Sequence, residues 1–123
     1  MSWLLVGIGG AAGAMARYGA GVVTNRLIGP PVPYATAMVN ILGCAVIGLL
    51  AGGADGGHIR MSPEARLFVF VGILGGFTTF STFGLDTVTL ARTQSMTPAV
   101  WNVIGQVALG LLAVQAGILL SSK

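Results

Sequence analysis

The sequence has few charged residues and a single cysteine, and both shortages exclude whole classes of protein. Only 7% of its 123 residues are charged, whereas a soluble domain carries roughly 25%. Because so few charges cannot cover a water-facing surface, we interpret the chain as a membrane protein. Cys44 is the only cysteine, which excludes a disulfide within the chain and a thiolate metal cluster.

Sequence signals of nucleotide use, nucleic-acid binding and catalysis are also missing. There is no GxxxxGK[ST] loop to hold phosphates, so no fuel is predicted. The net charge is only +3 and the basic residues do not cluster, so nucleic acid is not a predicted partner. His58 and Cys44 lie far apart in the sequence, and no nucleophile and base form a recognisable set. We therefore do not predict an enzyme.

What the sequence does contain is apolar runs of membrane-spanning length. Hydrophobic residues make up 54% of the chain, and the mean hydropathy is +0.89. A bilayer crossing takes about 20 apolar helical residues, and the gaps between charges predict one all-α unit, residues 1–123, with four transmembrane helices. The predicted helices lie near 3–23, 34–53, 66–90 and 99–120.

The intervening segments contain helix-breaking residues. "IGPPVP" (28–33) holds three prolines, and proline removes a backbone donor. "GGADGGH" (52–58) is predicted to be a loop because of its glycines. Thr97 and Pro98 suit the N-cap and the first position of the last helix.

Positive charge is balanced across the predicted membrane. With four crossings, both termini and the 54–65 loop share one side, which gives three basic residues on each side. These are Arg60, Arg66 and Lys123 on one side and Arg17, Arg26 and Arg92 on the other. The positive-inside rule then sets no orientation. The chain is predicted to insert both ways, which makes an antiparallel homodimer possible.

The few polar residues and the paired glycines of these helices recur at helical spacing. Thr36, Asn40 and Cys44 are four apart, as are Asn102 and Gln106, so each set shares a face. Such residues line a wet path or bond neighbouring helices, and spacing leaves both roles open. Gly9 with Gly13, and Gly48 with Gly52, allow close helix approach, either within the chain or between copies.

The stretch "GGFTTFSTFG" (75–84) interrupts the third apolar run. Glycine weakens a helix interior by about 1 kcal/mol, and threonine hydroxyls compete for backbone bonds. We predict a helix that is broken near 75–79. Broken membrane helices form ion and substrate sites, with free carbonyls suited to a cation and free amides and hydroxyls suited to an anion.

Two features favour an anion. The predicted spans hold no carboxylate near their middle, since Asp86 lies well after the break. Phe80 and Phe83 share a face, and the positive edges of their rings could line an anion path. Donors would come from Asn40 and the nearby hydroxyls. Core packing of the two phenylalanines is the alternative interpretation.

The same residues resemble the CrcB/Fluc family of fluoride channels. The resemblance covers the whole chain, with "GIGGAAGAMARY" in the first helix, "ATAMVNILGC" in the second and "GGFTTFSTF" in the third. It implies a dual-topology, antiparallel homodimer in the cell membrane. The dimer would export cytoplasmic fluoride passively and selectively, and it would confer fluoride resistance.

The resemblance also implies roles for individual residues. Those implied to line the fluoride pathway, or matched to it by position, are Asn40, Phe80, Ser81, Thr82, Phe83, Asn102 and Gln106. Arg17 matches a basic residue near the aqueous vestibule. The backbone carbonyls of Gly75 and Thr78 would hold a structural Na⁺ between the subunits.

The chain departs from the family at a few positions. Asn102 and Gln106 stand where many relatives carry hydroxyl side chains, and Asp86 stands where glutamate is common. His58 lies in a loop, where it is interpreted as solvated.

Two other functions are consistent with a small membrane bundle. A dual-topology multidrug/proton antiporter would need a carboxylate in the first helix, and that helix has none. A structural subunit of a larger complex would use Asn40 and the hydroxyls only to join helices.

Overall fold

The structure describes residues 1–29 and 33–123 of a computed structural model, and helices make up most of them, with no strand among them. We label the helices α1 (Ser2–Ile28), α2 (Tyr34–Asp55), α3 (Pro63–Arg66, continued by Leu67–Leu74 and Gly75–Phe77), α4 (Phe80–Thr93) and α5 (Met96–Ser121). Because α3 and α4 together make the third rod, the count of four predicted helices is confirmed. The predicted break at 28–33 includes residues 30–32, which lie outside the described residues.

Three of the four rods are long and apolar enough to cross a membrane. Mean hydropathy is 2.0 for Tyr34–Asp55, 1.7 for Pro63–Thr93 and 2.1 for Met96–Ser121. The remaining rod, α1, has 27 residues, which is sufficient length, but its glycines and arginines lower its hydropathy. The chain is therefore a multi-pass membrane protein.

Several predicted boundaries are wrong. The first helix, predicted near 3–23, runs to Ile28, and the third, predicted near 66–90, begins at Pro63 and ends at Thr93. The 52–58 segment is helical as far as Asp55, since Gly52 and Gly53 are buried where α2 meets Ile118 and Ile59; packing overrides glycine's weak helix propensity. The last helix begins at Met96 with Ser95 in the N-cap position, so Thr97 is not the cap. Pro98 is tolerated because the first-turn N–H groups have no helical partner.

Glycines bring the rods together within one chain. The backbone of Gly9 lies against Phe68 and Gly72 of α3, and Gly13 lies against Ile73. Gly48 and Gly52 contact α5 in the same way. A side chain at these positions would overlap backbone atoms, so both glycine pairs are used for packing inside the chain.

The third rod has two departures from regular α-helix. Leu67–Leu74 forms a π-helical stretch, a rare geometry that is frequent at functional sites. Helical geometry then stops at Thr78 (φ −84, ψ 160) and Thr79 (φ −153, ψ 117), which are extended, before α4 begins at Phe80. The interruption places the start of α4 beside α2 and α5.

Candidate functional site

The interruption in the third rod is held by a side chain of α2. The Thr79 backbone N–H donates to Asn40 Oδ1 at 2.8 Å, and Asn40 Nδ2 donates to the Thr79 carbonyl at 3.1 Å. In a continuous α-helix the Thr79 N–H would donate to the Gly75 carbonyl instead. Asn40 thus replaces one rung of the helical ladder with a two-point clamp.

A chain of side-chain hydrogen bonds runs from this clamp across α5 and back to α4. Asn40 Nδ2 also donates to Gln106 Oε1 at 2.9 Å, and Gln106 Nε2 donates to Asn102 Oδ1 at 2.9 Å. Asn102 Nδ2 donates to Thr87 Oγ1 at 2.8 Å. Thr87 Oγ1 donates to the Phe83 carbonyl at 2.7 Å. We call Asn40, Gln106 and Asn102 the amide chain.

The start of α4 carries its own hydroxyl cluster. Thr79 is the N-cap, and its Oγ1 accepts from the Thr82 backbone N–H at 3.2 Å, which satisfies one of the free amides of the first turn. The same oxygen donates to Thr82 Oγ1 at 3.0 Å and lies 3.3 Å from Ser81 Oγ. Ser81 is exposed. The cluster presents hydroxyls beside the break.

The two phenylalanines of the motif are neighbours on one side of α4. The ring centroids of Phe80 and Phe83 are 5.5 Å apart and the planes are tilted by 45°. Phe80 is 83% exposed, so core packing within one chain does not explain it. Phe83 is half-buried.

Three grooves are lined by residues of the break or of its hydrogen-bond network. One, of about 370 Å³, is lined by Asn40, Gly75, Thr78 and Phe80 among others. A second, of about 320 Å³, brings Arg17 to the hydroxyl cluster. The third, of about 440 Å³, is lined by Asn102 and Gln106 among others. All ten predicted site residues line one of these grooves or lie in the first turn of α4, at 80–83.

An acidic residue of α4 is held by α2. The Thr36 hydroxyl donates to Asp86 Oδ2 at 2.6 Å, and Thr36 is only 7% exposed. Thus two of the three polar residues predicted to share a face of α2, Thr36 and Asn40, bond to the third rod. Cys44 lies beside Gly110 of α5.

Sequence reasoning missed two contributors to this site. No sequence pattern marks the backbone of Thr79, apart from the low helix propensity of the residues around it. Thr87 joins the amide chain to α4, and its four-residue spacing from Phe83 is the only signal that could have indicated this role. Among the described residues, no group of three or more His, Cys, Asp or Glu side chains could hold a metal.

Comparison with known proteins gives one consistent result. Residues 4–118 match the family model described as "CrcB-like protein, Camphor Resistance (CrcB)". The chain is 45% identical to the "Fluoride-specific ion channel FluC" of Phenylobacterium zucineum, over 98% of this chain and 94% of that one. It is 40% identical to the protein of the same name from Acidobacterium capsulatum, over 100% and 98% of the two chains. The protein so named from Paracoccus denitrificans is 45% identical, over 95% and 91%.

Proposed function

Because the chain belongs to the CrcB-like protein family, we propose that it is a fluoride channel, as its relatives are named. It conducts passively and selectively, lets cytoplasmic fluoride leave across the cell membrane and so confers fluoride resistance. The observation that carries this proposal is a break in a membrane helix beside neutral hydrogen-bonding side chains and two phenylalanine rings. Weak, repeated contacts of this kind let an ion both enter and leave.

The electrostatics of the break suit an anion. Hydroxyls of Thr79, Ser81 and Thr82 cluster there, and Arg17 lines the adjoining groove. The one carboxylate of α4, Asp86, is bonded to Thr36. The α1 helix carries no acidic residue, which is the residue that a drug/proton antiporter would need there.

The fluoride path lies between two copies of the chain arranged as an antiparallel homodimer. Phe80 is 83% exposed in one copy and lines one of the three grooves. A second copy would cover Phe80 and close a path lined by Phe80, Phe83 and Asn40. The equal numbers of basic residues on the two sides support insertion in both orientations.

Labelling from one side of the membrane tests the dual topology. In a Cys44→Ser background, Ser122→Cys provides one reporter thiol near the C-terminus. A membrane-impermeant maleimide applied to intact cells should label about half of these thiols if both orientations occur equally. Labelling of all or none of them would contradict dual topology.

A structural sodium ion fits the carbonyls at the break. The Thr79 N–H donates to Asn40 and the Thr82 N–H to Thr79 Oγ1, so the carbonyls of Gly75 and Thr78 lack their usual α-helical donors. Hard cations prefer oxygen ligands, and unwound carbonyls coordinate Na⁺ in membrane proteins. Two copies would supply four such carbonyls. The sodium site predicts that the dimer melts at a lower temperature in N-methylglucamine than in Na⁺ at equal ionic strength. Equal melting temperatures in the two cations would contradict it.

Ion release from liposomes tests the channel function directly. Purified protein in liposomes should release fluoride quickly, with little chloride and without a proton gradient, as read by ion-selective electrodes. Phe80→Ile and Phe83→Ile should each reduce fluoride release while leaving the dimer intact. Undiminished release in both variants would remove the aromatic path, and no release above empty liposomes would contradict the channel itself.

A further inference from the structure

Two of the grooves meet at the break and extend toward opposite ends of α2. The α2 residues that line the groove of about 320 Å³ are Ala35, Thr36 and Val39. Those that line the groove of about 370 Å³ are Asn40, Gly43, Cys44 and Ile47. Thr79 lines both grooves. The two grooves therefore form one track along α2, and the break lies where they join.

Arg17 gives a positive charge to one end of this track, since it lines the groove that extends toward the start of α2. The other groove extends toward the end of α2. Its outermost residue on the third rod is Phe70. Because α2 ends at Asp55 and α3 begins at Pro63, one short loop later, Phe70 lies toward the membrane side opposite the start of α2.

A second arginine lies at the Phe70 end of the track. The guanidinium of Arg66 lies over the ring of Phe70, with Cζ 5.4 Å from the ring centroid. A cation in this position is attracted by the negative face of the ring. Arg66 is exposed and Phe70 is half-buried, so the charge faces water while the ring lines the groove. The stacking holds the guanidinium at the outer end of the groove.

The π-helical stretch of α3 keeps this arginine in line with the break. In an α-helix of 3.6 residues per turn, a residue four positions ahead lies about 40° further round, so three such steps would carry Thr78 about 120° away from Arg66. A π-helix is wider, with i→i+5 hydrogen bonds, so a step of four residues falls short of a full turn. The Leu67–Leu74 stretch therefore offsets the drift, and Phe70, Leu74 and Thr78 all line one groove.

Arg66 differs from the other charged residues at this end of the bundle by its place on the groove. Glu64 is only two residues away, but side chains two apart on a helix do not face each other. Arg60 lies in the loop before α3 and is exposed. It does not line any of the three grooves, so it carries the same charge on the same membrane side without touching the track.

We propose that Arg66, held by Phe70, is the charged entrance to the fluoride path at the end opposite Arg17. The inference rests on the proposed function, since it needs an anion that travels along the track. A positive charge at this point raises the local concentration of fluoride. It does not trap the ion, because water and salt screen the field of an exposed guanidinium.

The ionic-strength dependence of fluoride release tests the entrance. Protein in liposomes would be assayed at low fluoride in sodium gluconate of about 0.01 M and about 1 M, where the Debye length is about 30 Å and about 3 Å. Arg66→Gln should lower fluoride release about two- to fourfold at low ionic strength, the effect of one unit charge at roughly 5 to 10 Å in water. It should have little effect at 1 M. Arg60→Gln, the matched control, should behave as the unchanged protein in both.

Chemical replacement of the charge provides a second test. In a Cys44→Ser background, Arg66→Cys would be treated in detergent, before reconstitution, with a thiosulfonate reagent that attaches either a trimethylammonium or a sulfonate group. The cationic adduct should restore most of the lost release, and the anionic adduct should lower it below that of the untreated thiol. Arg60→Cys should respond to neither reagent. A purely structural role of Arg66 would not give opposite effects for the two charges.

A double-substitution cycle tests the part played by Phe70. Phe70→Leu keeps an apolar side chain but removes the ring that attracts the cation. Arg66→Gln should then reduce fluoride release by a smaller factor in the Phe70→Leu background than in the unchanged protein. Phe68→Leu is the matched control background, since Phe68 is also half-buried on α3 but does not line the groove. An equal factor in all three backgrounds would overturn the role of Phe70.

The failure of this inference and the failure of the proposed function can be told apart. Fast release by the unchanged protein, together with equal effects of Arg66→Gln and Arg60→Gln, would overturn the entrance alone. The same holds if release does not respond to the charge of the adduct. If Arg66→Gln does not form the dimer, the comparison of the two adducts on one protein still decides. No release above that of empty liposomes would contradict the proposed function, and the entrance with it.

Discussion

Replacing Gly13 by alanine should loosen the contact between α1 and the third rod. Gly13 is buried, and an added Cβ would overlap the Ile73 carbonyl oxygen. It would also lie 2.9 Å from both the Ile73 carbonyl carbon and the Phe77 nitrogen. These neighbours are backbone atoms just before the break, so no side chain can rotate out of the way.

The size of the effect follows from the geometry. Carbon atoms pack best at about 3.5 to 4.0 Å, so α1 would have to move away by roughly 1 Å. Overpacking of this kind costs about 1 to 3 kcal/mol. Alanine recovers about 1 kcal/mol of helix propensity. We take the overpacking cost at its upper end because the added Cβ meets only backbone atoms. The expected net loss is about 2 kcal/mol in the free energy of unfolding.

The free energy of unfolding in detergent micelles, measured by SDS titration with tryptophan fluorescence, checks this value. Gly7→Ala is the matched control, since Gly7 lies on the same helix and nothing is within 4 Å of its added Cβ. That variant should be neutral or slightly more stable. Equal stability of the Gly13 and Gly7 variants would refute the close backbone contact on which the reasoning depends.

Three further substitutions test individual hydrogen bonds by the same unfolding measurement. Thr36→Val removes the donor to Asp86 and should lower the free energy of unfolding by about 1.5 to 3 kcal/mol, the range for a charged acceptor. Thr93→Val, at an exposed site, should lower it far less. Equal losses would contradict the Thr36 contact. Thr79→Val removes the α4 cap but keeps the backbone clamp. It should lower the free energy of unfolding by about 1 kcal/mol without abolishing fluoride flux. Abolished flux would place the hydroxyl itself in the path. Ser62→Ala removes the cap on the α3 N-terminus and should likewise cost about 1 kcal/mol, whereas an unchanged stability would show that this exposed cap is frayed.

The helices and their polar faces could be predicted from the sequence because both follow from local pattern. Charge-free gaps of bilayer length gave the four rods, and four-residue spacing correctly placed Asn102 and Gln106 on one face. The ends of helices were less predictable. The low helix propensity of Gly52 and Gly53 predicts a loop, but both residues are helical because they are buried against Ile118 and Ile59.

The connections within the site could not be predicted, because they depend on which backbone group each side chain meets. Spacing could not distinguish an Asn40 that offers a donor to a path from an Asn40 that spends both donors inside the bundle. Nor could it indicate that Thr87 connects α5 back to the carbonyl of Phe83. Predicting these contacts requires the relative positions of α2, α4 and α5.

One exchange of hydrogen-bond partners sets the backbone geometry at the break. When the Thr79 N–H bonds to Asn40 rather than to Gly75, the helix loses a rung and the Gly75 carbonyl loses its usual α-helical donor. The same bond fixes the direction of the amide chain, in which Asn40 donates to Gln106 and Gln106 donates to Asn102. A charged residue at this point would be costly in a bilayer and would also hold its counter-ion too tightly for a path that must release it.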